Sequence, residues 1–194
     1  MKLFMVRHGQ TTGNVGGLIY GQADYPLTQK GRDQAAAIRP ILENINFDRV
    51  YSSDLSRAIE TQQIAVPGVE GIRTSLLREF DVGNLTNITY KEAEERFASQ
   101  LENARTNGYD WFGGESYDDI LARLRKFLDI LEADPCENVI AFSHNGMLGF
   151  MLQLVLGVKF CRTAVLSANC AIQVFEFDNA QWKLRAWNYM SDLT

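Results

Sequence analysis

Apolar residues run without a break through Leu3-Phe4-Met5-Val6 and stop at Arg7-His8-Gly9. A run with no alternation predicts a short strand buried on both faces. The pattern then turns helical: Ala35, Ile38, Ile41, Leu42 and Ile45 recur at spacings of three and four, and Thr28 stands where an N-cap belongs. A helix over 28–43 follows, with Pro40 kinking it or ending it early. Residues 48–52 predict a second strand, 54–66 a second helix opened by Asp54 and stopped by Pro67-Gly68, and 72–77 a third strand. Thr89 and Glu92 have capping-box spacing at the head of a helix running to about 103. Ser116 heads another, with Tyr117, Ile120, Leu121, Leu124, Phe127, Leu128 and Leu131 on one stripe. Residues 139–142 predict a further core strand, and 146–156 a central helix, apolar on nearly all sides and ended by Gly157. Residues 171–177 and 182–187, joined through Asp178-Asn179-Ala180-Gln181, read as a hairpin.

Strands that alternate with helices imply an α/β fold, here three layers α/β/α around a mostly parallel central sheet, with a helical excursion and a C-terminal hairpin. No internal repeat and no linker rich in Pro, Gly or Ser interrupts the chain, so one domain is expected across 1–194. The stretch NARTNGYDWFGGES at 103–116 is the most loop-like, and it is expected to belong to a lid formed by the excursion.

Charge narrows the function. A net charge of −5 argues against nucleic acid or an anionic membrane as the main partner, since each needs a concentrated basic face. No apolar run reaches the roughly 18 residues of a membrane span, and the run at 3–6 is too short for a signal-peptide core. Cys136, Cys161 and Cys170 are odd in number and lack CxxC spacing, which suits a reduced, cytoplasmic setting better than a disulfide framework or a zinc site.

The chemistry starts from a likeness between FMVRHG and IAFSHNG. Each is an apolar strand that ends in a histidine and turns at a glycine, so His8 and His144 both stand at the carboxyl ends of predicted core strands. Ligands of open α/β sheets bind at that edge. If the two strands are neighbours the histidines face each other; taken singly, each suits a hydrogen-bonded structural role as well. Arg7 adds a cation beside His8, and Arg57 a second one in the first turn of a helix. Two guanidinium forks with backbone N–H groups suit a tetrahedral phosphate. Arg57 alone suits a surface ion pair with Asp54 or Glu60, and Asn14 either a phosphate contact or an ordinary turn. Expelling an alkoxide from a phosphate ester needs a positioned acid. Glu79 and Asp81, just after a predicted strand, both qualify. Adjacent arginines would repel a divalent metal, and HxxxH spacing, nucleotide-binding glycine loops and G-x-S-x-G are missing.

Assembled, these residues resemble the histidine phosphatase superfamily, also called phosphoglycerate mutase-like. Arg7-His8-Gly9-Gln10-Thr11 with Asn14 is similar to its R-H-G-x-T-x-x-N, and Pro26-Leu27-Thr28 through Gly31 and Gln34-Ala35 to P-L-T-x-x-G-x-x-Q-A. Ser52-Ser53-Asp54-Leu55 to Arg57-Ala58 and Thr61 resembles S-S-D-L-x-R-A-x-x-T, and Gly113-Gly114-Glu115-Ser116 resembles G-G-E-S. The resemblance implies His8 as a nucleophile that becomes phosphohistidine, Arg7, Arg57 and His144 as phosphate binders, and Glu79 rather than Asp81 as proton donor. It implies no metal or cofactor. His144 is then expected to be a cation in the complex, with activity lost on the alkaline as well as the acid side.

Asn14, Gly21, Gln22 and Asn145 are the further substrate-binding candidates, and Tyr20, Phe80, Tyr109, Trp111 and Phe112 lie in segments able to wall a pocket. The chain departs from the family pattern in three places. Asn84-Leu85-Thr86-Asn87 follows Gly83 where G-x-W-x-G is frequent, Asn145 intervenes between His144 and Gly146, and Gln10 replaces a frequent glutamate. The expected activity is a metal-independent phosphatase acting on small phosphorylated metabolites, as a monomer or homodimer. The alternatives are a bisphosphoglycerate-dependent phosphoglycerate mutase and a phosphate-recognition protein without turnover. Only Lys91, Arg96 and Arg105 are basic between residues 80 and 116, which favours hydrolysis over the mutase.

Overall fold

Strand β1 (Lys2–Arg7) runs through the middle of a six-stranded sheet. The computed structural model describes residues 1–160, 164–165 and 167–189. One side of β1 carries β6 (Asn138–Ser143) in parallel, followed by β3 (Arg49–Ser53) and β4 (Ile72–Thr74), also parallel. Its other side carries β7 (Ile172–Asp178) and then β8 (Gln181–Tyr189), each antiparallel to its neighbour.

The unbroken apolar run of β1 is explained by helices on both faces. Leu3 and Met5 pack into one core with α6 (Tyr117–Glu132) and α7 (Asn145–Leu156), while Phe4 and Val6 pack into the other with α2 (Gln29–Ala37) and α4 (Ser56–Ala65). The expected three layers are therefore present. On α6 the stripe buries Ile120, Leu124, Phe127, Leu128 and Leu131, and Ser116 Oγ caps it by accepting from Asp119 N–H. Helix α7 buries residues on all sides through Gln153, and Gly157 ends it in the left-handed region at φ 65°.

The interruption expected at Pro40 is present: the helix over 28–43 breaks at Ile38 into α2 and α3 (Arg39–Leu42), because Pro40 cannot donate an N–H to the preceding turn. Other boundaries differ from the pattern-based reading. Asp54 does not cap α4; the helix starts at Ser56, whose N–H donates to Asp24 Oδ2 at 2.9 Å, and Asp54 pairs with Arg78 instead. The strand expected over 72–77 stops at Thr74, whose hydroxyl accepts from Leu76 N–H and turns the chain into one 3₁₀ turn. Helix α5 (Tyr90–Asn107) extends past residue 103 and is kinked at Phe97. Thr89 Oγ1 accepts from Glu92 N–H, but the Glu92 carboxylate pairs with Arg96, so only half of the capping box forms. In the hairpin, Asn179 and Ala180 both have positive φ, which shortens the connection to the two-residue turn matching strand twist.

Two small elements complete the site. Helix α1 (Thr12–Val15) follows the His8 loop, and β2 (Leu18–Ile19) pairs with β5 (Ile88–Thr89) at the head of α5. Among the described residues no helix is long and apolar enough to cross a membrane.

Candidate active site

Parallel register decides the centre of the site. Arg7 is level with Ser143, so the residue after each strand is a histidine, and the rings of His8 and His144 lie 5.2 Å apart between centroids. His8 N–H donates to Ser143 O at 3.0 Å, tying the two strand ends together. Gly9 permits the turn because a Cβ there would stand 2.4 Å from the carbonyl oxygen of Gly31. Its N–H donates to Thr61 Oγ1, which in turn donates to Arg57 O, so the loop is fastened to α4.

His8 is 2% exposed, and its Nδ1 lies 2.7 Å from Gly9 O. A carbonyl accepts only, so Nδ1 carries the proton and Nε2 presents a lone pair. Burial, and then the charges of Arg57 and Arg7, push the ring well below the ordinary histidine value and keep it neutral.

Arg57 is fully buried. Its Nη2 donates to Gly21 O at 2.7 Å, Nη1 to Ala23 O at 2.8 Å and Nε to His144 Nδ1 at 3.2 Å, and Asp24 Oδ1 lies 3.5 Å from Nη1. No ion pair with Asp54 or Glu60 forms; those carboxylates pair with Arg78 and Arg32. His144 accepts at Nδ1 and therefore donates from Nε2 to Ser53 Oγ at 2.8 Å. The resemblance implies a cation at His144 once phosphate is bound; within the protein itself, burial and the facing Arg57 push the ring well below the ordinary histidine value.

A cavity opens around His8. Arg7, His8, Asn14, Glu79 and Asn145 supply its polar lining. Arg7 Nη1 donates to Ser167 O, while its buried Nε has no partner among the described residues. Asn14 Oδ1 accepts from Thr11 N–H at 3.1 Å, which leaves the amide NH₂ as the available donor. Glu79 Oε2 accepts from Gly146 N–H at 3.1 Å and Oε1 from Phe80 N–H at 3.2 Å. Asp81 is not part of the lining; its Oδ1 is taken by Gly83 N–H.

Of the other candidates, Gly21, Tyr20, Phe80 and Tyr109 line the cavity, whereas Gln22, Trp111 and Phe112 do not. Gln22 sits outside, its Oε1 facing Arg78. Arg57 and His144 stand behind His8 and not in the lining. The departures at Leu85-Thr86-Asn87 form a local turn: Leu85 is buried, Thr86 Oγ1 donates to Gly83 O, and Asn87 N–H donates to Ile19 O. None of the three reaches the cavity, whereas Asn145 does. Sequence reasoning missed Asp24 and Ser53, the partners of Arg57 and His144. It also missed Tyr90, Leu18, Ile19 and Val82 in the lining, for which no local signal exists.

A neutral buried histidine with a free ring nitrogen, flanked by arginines and opposite a carboxyl at the carboxyl edge of a parallel sheet, marks an α/β protein built to handle a small anion. The chain belongs to the histidine phosphatase superfamily (branch 1), whose sequence model matches residues 3–190. It is 30% identical over 194 residues to a probable phosphoglycerate mutase GpmB of Salmonella paratyphi A, covering 96% of this chain and 90% of the relative. It is 31% identical over 167 residues to an adenosylcobalamin/alpha-ribazole phosphatase of Salmonella typhimurium, covering 80% of each. A mycobacterial glucosyl-3-phosphoglycerate phosphatase solved with VO3 superposes with a TM-score of 0.87 at 28% identity, over 97% of this chain and 99% of the other. The superfamily and these relatives support a phosphatase-type enzyme.

Proposed function

We propose that this protein hydrolyses small phosphomonoesters through a phosphohistidine at His8. The single observation that carries the reading is the 2.7 Å bond from His8 Nδ1 to Gly9 O, which makes Nε2 the lone-pair nitrogen of a ring kept neutral by burial. Nε2 attacks phosphorus in line as the bond to the ester oxygen breaks. Arg7 binds the phosphoryl oxygens, with its partnerless Nε among the donors. Arg57 adds positive potential from behind, locked in place by two carbonyls and His144. Asn14 and Asn145 donate amide hydrogens from the wall.

Glu79 acts as the general acid that gives a proton to the leaving alkoxide. Its carboxylate then takes a proton from water, whose oxygen attacks phosphorus, breaks the P–N bond and releases inorganic phosphate. The cycle thereby returns the proton to Glu79 and frees His8 Nε2. A mutase would share the first half and return the phosphoryl group to substrate. Product analysis separates the two, since hydrolysis yields one inorganic phosphate per alcohol.

Rapid quench with a ³²P-labelled ester tests the reading. Acid-labile, base-stable label on the wild-type chain, absent from a folded His8→Ala variant, is the expected result. Turnover by His8→Ala, or no trapped label in an active wild type, would overturn it.

A further inference from the structure

His8 Nε2 has its lone pair because Gly9 O takes the proton of Nδ1. Neutral imidazole exchanges between two tautomers, and the hydrogen bond made by one nitrogen decides which is populated. The position of a single carbonyl therefore sets the nucleophile, and that carbonyl belongs to a glycine, whose backbone is the freest of any residue. Three side chains from separate segments hold it.

The nearest is Gln34 on α2. Gly9 O and Gln10 N–H belong to one peptide group, and Gln34 Oε1 accepts from that N–H at 3.0 Å. The peptide is thus held at both ends, and accepting at its N–H also polarises its carbonyl towards the histidine proton. Turn and helix are packed closely enough to leave little play. Thr28 N–H donates to Gln10 O at 2.9 Å, and a Cβ on Gly31 would stand 2.1 Å from the same oxygen. The preceding peptide, between His8 and Gly9, is gripped in the same way. Thr61 Oγ1 on α4 accepts from Gly9 N–H at 3.0 Å, and Asn169, in the turn before β7, donates its amide to His8 O at 3.0 Å.

Resting on the phosphatase reading above, we propose that Gln34, Thr61 and Asn169 are positioning residues that hold His8 in the Nδ1–H tautomer and so keep Nε2 free to attack. None of the three lines the cavity, so each acts through the backbone of the turn and not on substrate.

Two-bond ¹H–¹⁵N spectra of the full chain, labelled at histidine and recorded at pH 7.5, read the tautomer directly. The chain has two histidines, and His8→Ala identifies the His8 ring by its loss. Wild type should show the Nδ1–H pattern. Gln34→Met, which loses the accepting oxygen, and Asn169→Ala should each show a mixed population, with kcat on p-nitrophenyl phosphate lower by about two- to tenfold, the worth of one ordinary hydrogen bond. Gln34→Glu keeps an acceptor and should restore both the pattern and the rate. Near-UV circular dichroism checks folding, and Asn169→Ala decides the matter if Gln34→Met fails to fold. An unchanged Nδ1–H pattern in the folded variant, or a rate that falls with that pattern intact, would overturn the inference and leave the phosphatase reading standing. The spectrum needs no turnover, so a wild type that shows the Nδ1–H pattern and hydrolyses no ester would overturn the phosphatase reading without touching the tautomer.

Discussion

Arg123 and Glu115 meet in a two-pronged ion pair, Nε to Oε1 and Nη2 to Oε2, each at 2.9 Å. The pair clasps the loop that carries Glu79 from both ends. Arg123 Nη1 donates to Arg78 O at 2.8 Å and Leu76 O at 2.9 Å, and Glu115 Oε2 accepts from Asp81 N–H at 2.7 Å. Glu115→Gln keeps the shape and removes the charge. Glu79 should then be held less firmly, and esters that need a protonated leaving group should suffer most. We expect kcat on an alkyl phosphate to fall by about tenfold or more, with p-nitrophenyl phosphate changed far less, since its leaving group needs little acid help. An equal fall on both would show a merely structural role.

Gly146 is the second constraint on Glu79. A Cβ there would stand 1.9 Å from Phe80 Cε1 and 2.5 Å from Glu79 Oε1. Alanine ordinarily improves a helix interior by roughly 0.5–1 kcal/mol over glycine. Here overpacking should outweigh that gain, for a net loss of about 1–3 kcal/mol in denaturant unfolding and a fall in kcat. A stabilised, fully active Gly146→Ala would contradict this packing.

Arg57→Lys keeps the cation and loses the planar fork. Gly21 O, Ala23 O and His144 Nδ1 cannot all be satisfied by one ammonium of different reach. Unfolding stability should drop by about 2–4 kcal/mol, and kcat should fall even where the variant is fully folded. Denaturation curves and steady-state rates on one preparation check both.

Acid should destabilise the protein from near pH 6.5 downward. Burial first, then Arg57, holds both His8 and His144 well below the ordinary value of 6.5. Below that value the unfolded chain binds protons that the native chain refuses, so stability is fully present above it and is lost as pH falls towards the native values. Each histidine adds a slope of up to about 1.4 kcal/mol per pH unit. Denaturation at pH 7.5, 6.5 and 5.5 should show the fall, with a shallower slope in His8→Asn. The acid limb of kcat/KM should likewise lie below 6.5, because His8 remains neutral there.

The strand ends, the helix stripes on α6 and α7, and the pairing of His8 with His144 were legible from the sequence because hydrophobic periodicity is local. So were the motifs around His8 and Arg57, which carried the resemblance. The capping role expected of Asp54 failed because two more distant partners, Asp24 for the helix and Arg78 for Asp54 itself, outcompeted it. Gln22 is a substrate-binding candidate in the sequence, yet its side chain faces Arg78.

By itself, then, the sequence determined which side chains stand at the carboxyl edge of the sheet and the kind of chemistry that they suit. Only the tertiary structure decided their state: that Arg57 is buried against two carbonyls and a histidine, that His8 offers Nε2, that burial and Arg57 disfavour a charge on His144, and that the basic residues of α5 pair with its own carboxylates. Protonation, tautomer and free charge depend on burial and on partners from distant segments, and neither is written in local spacing.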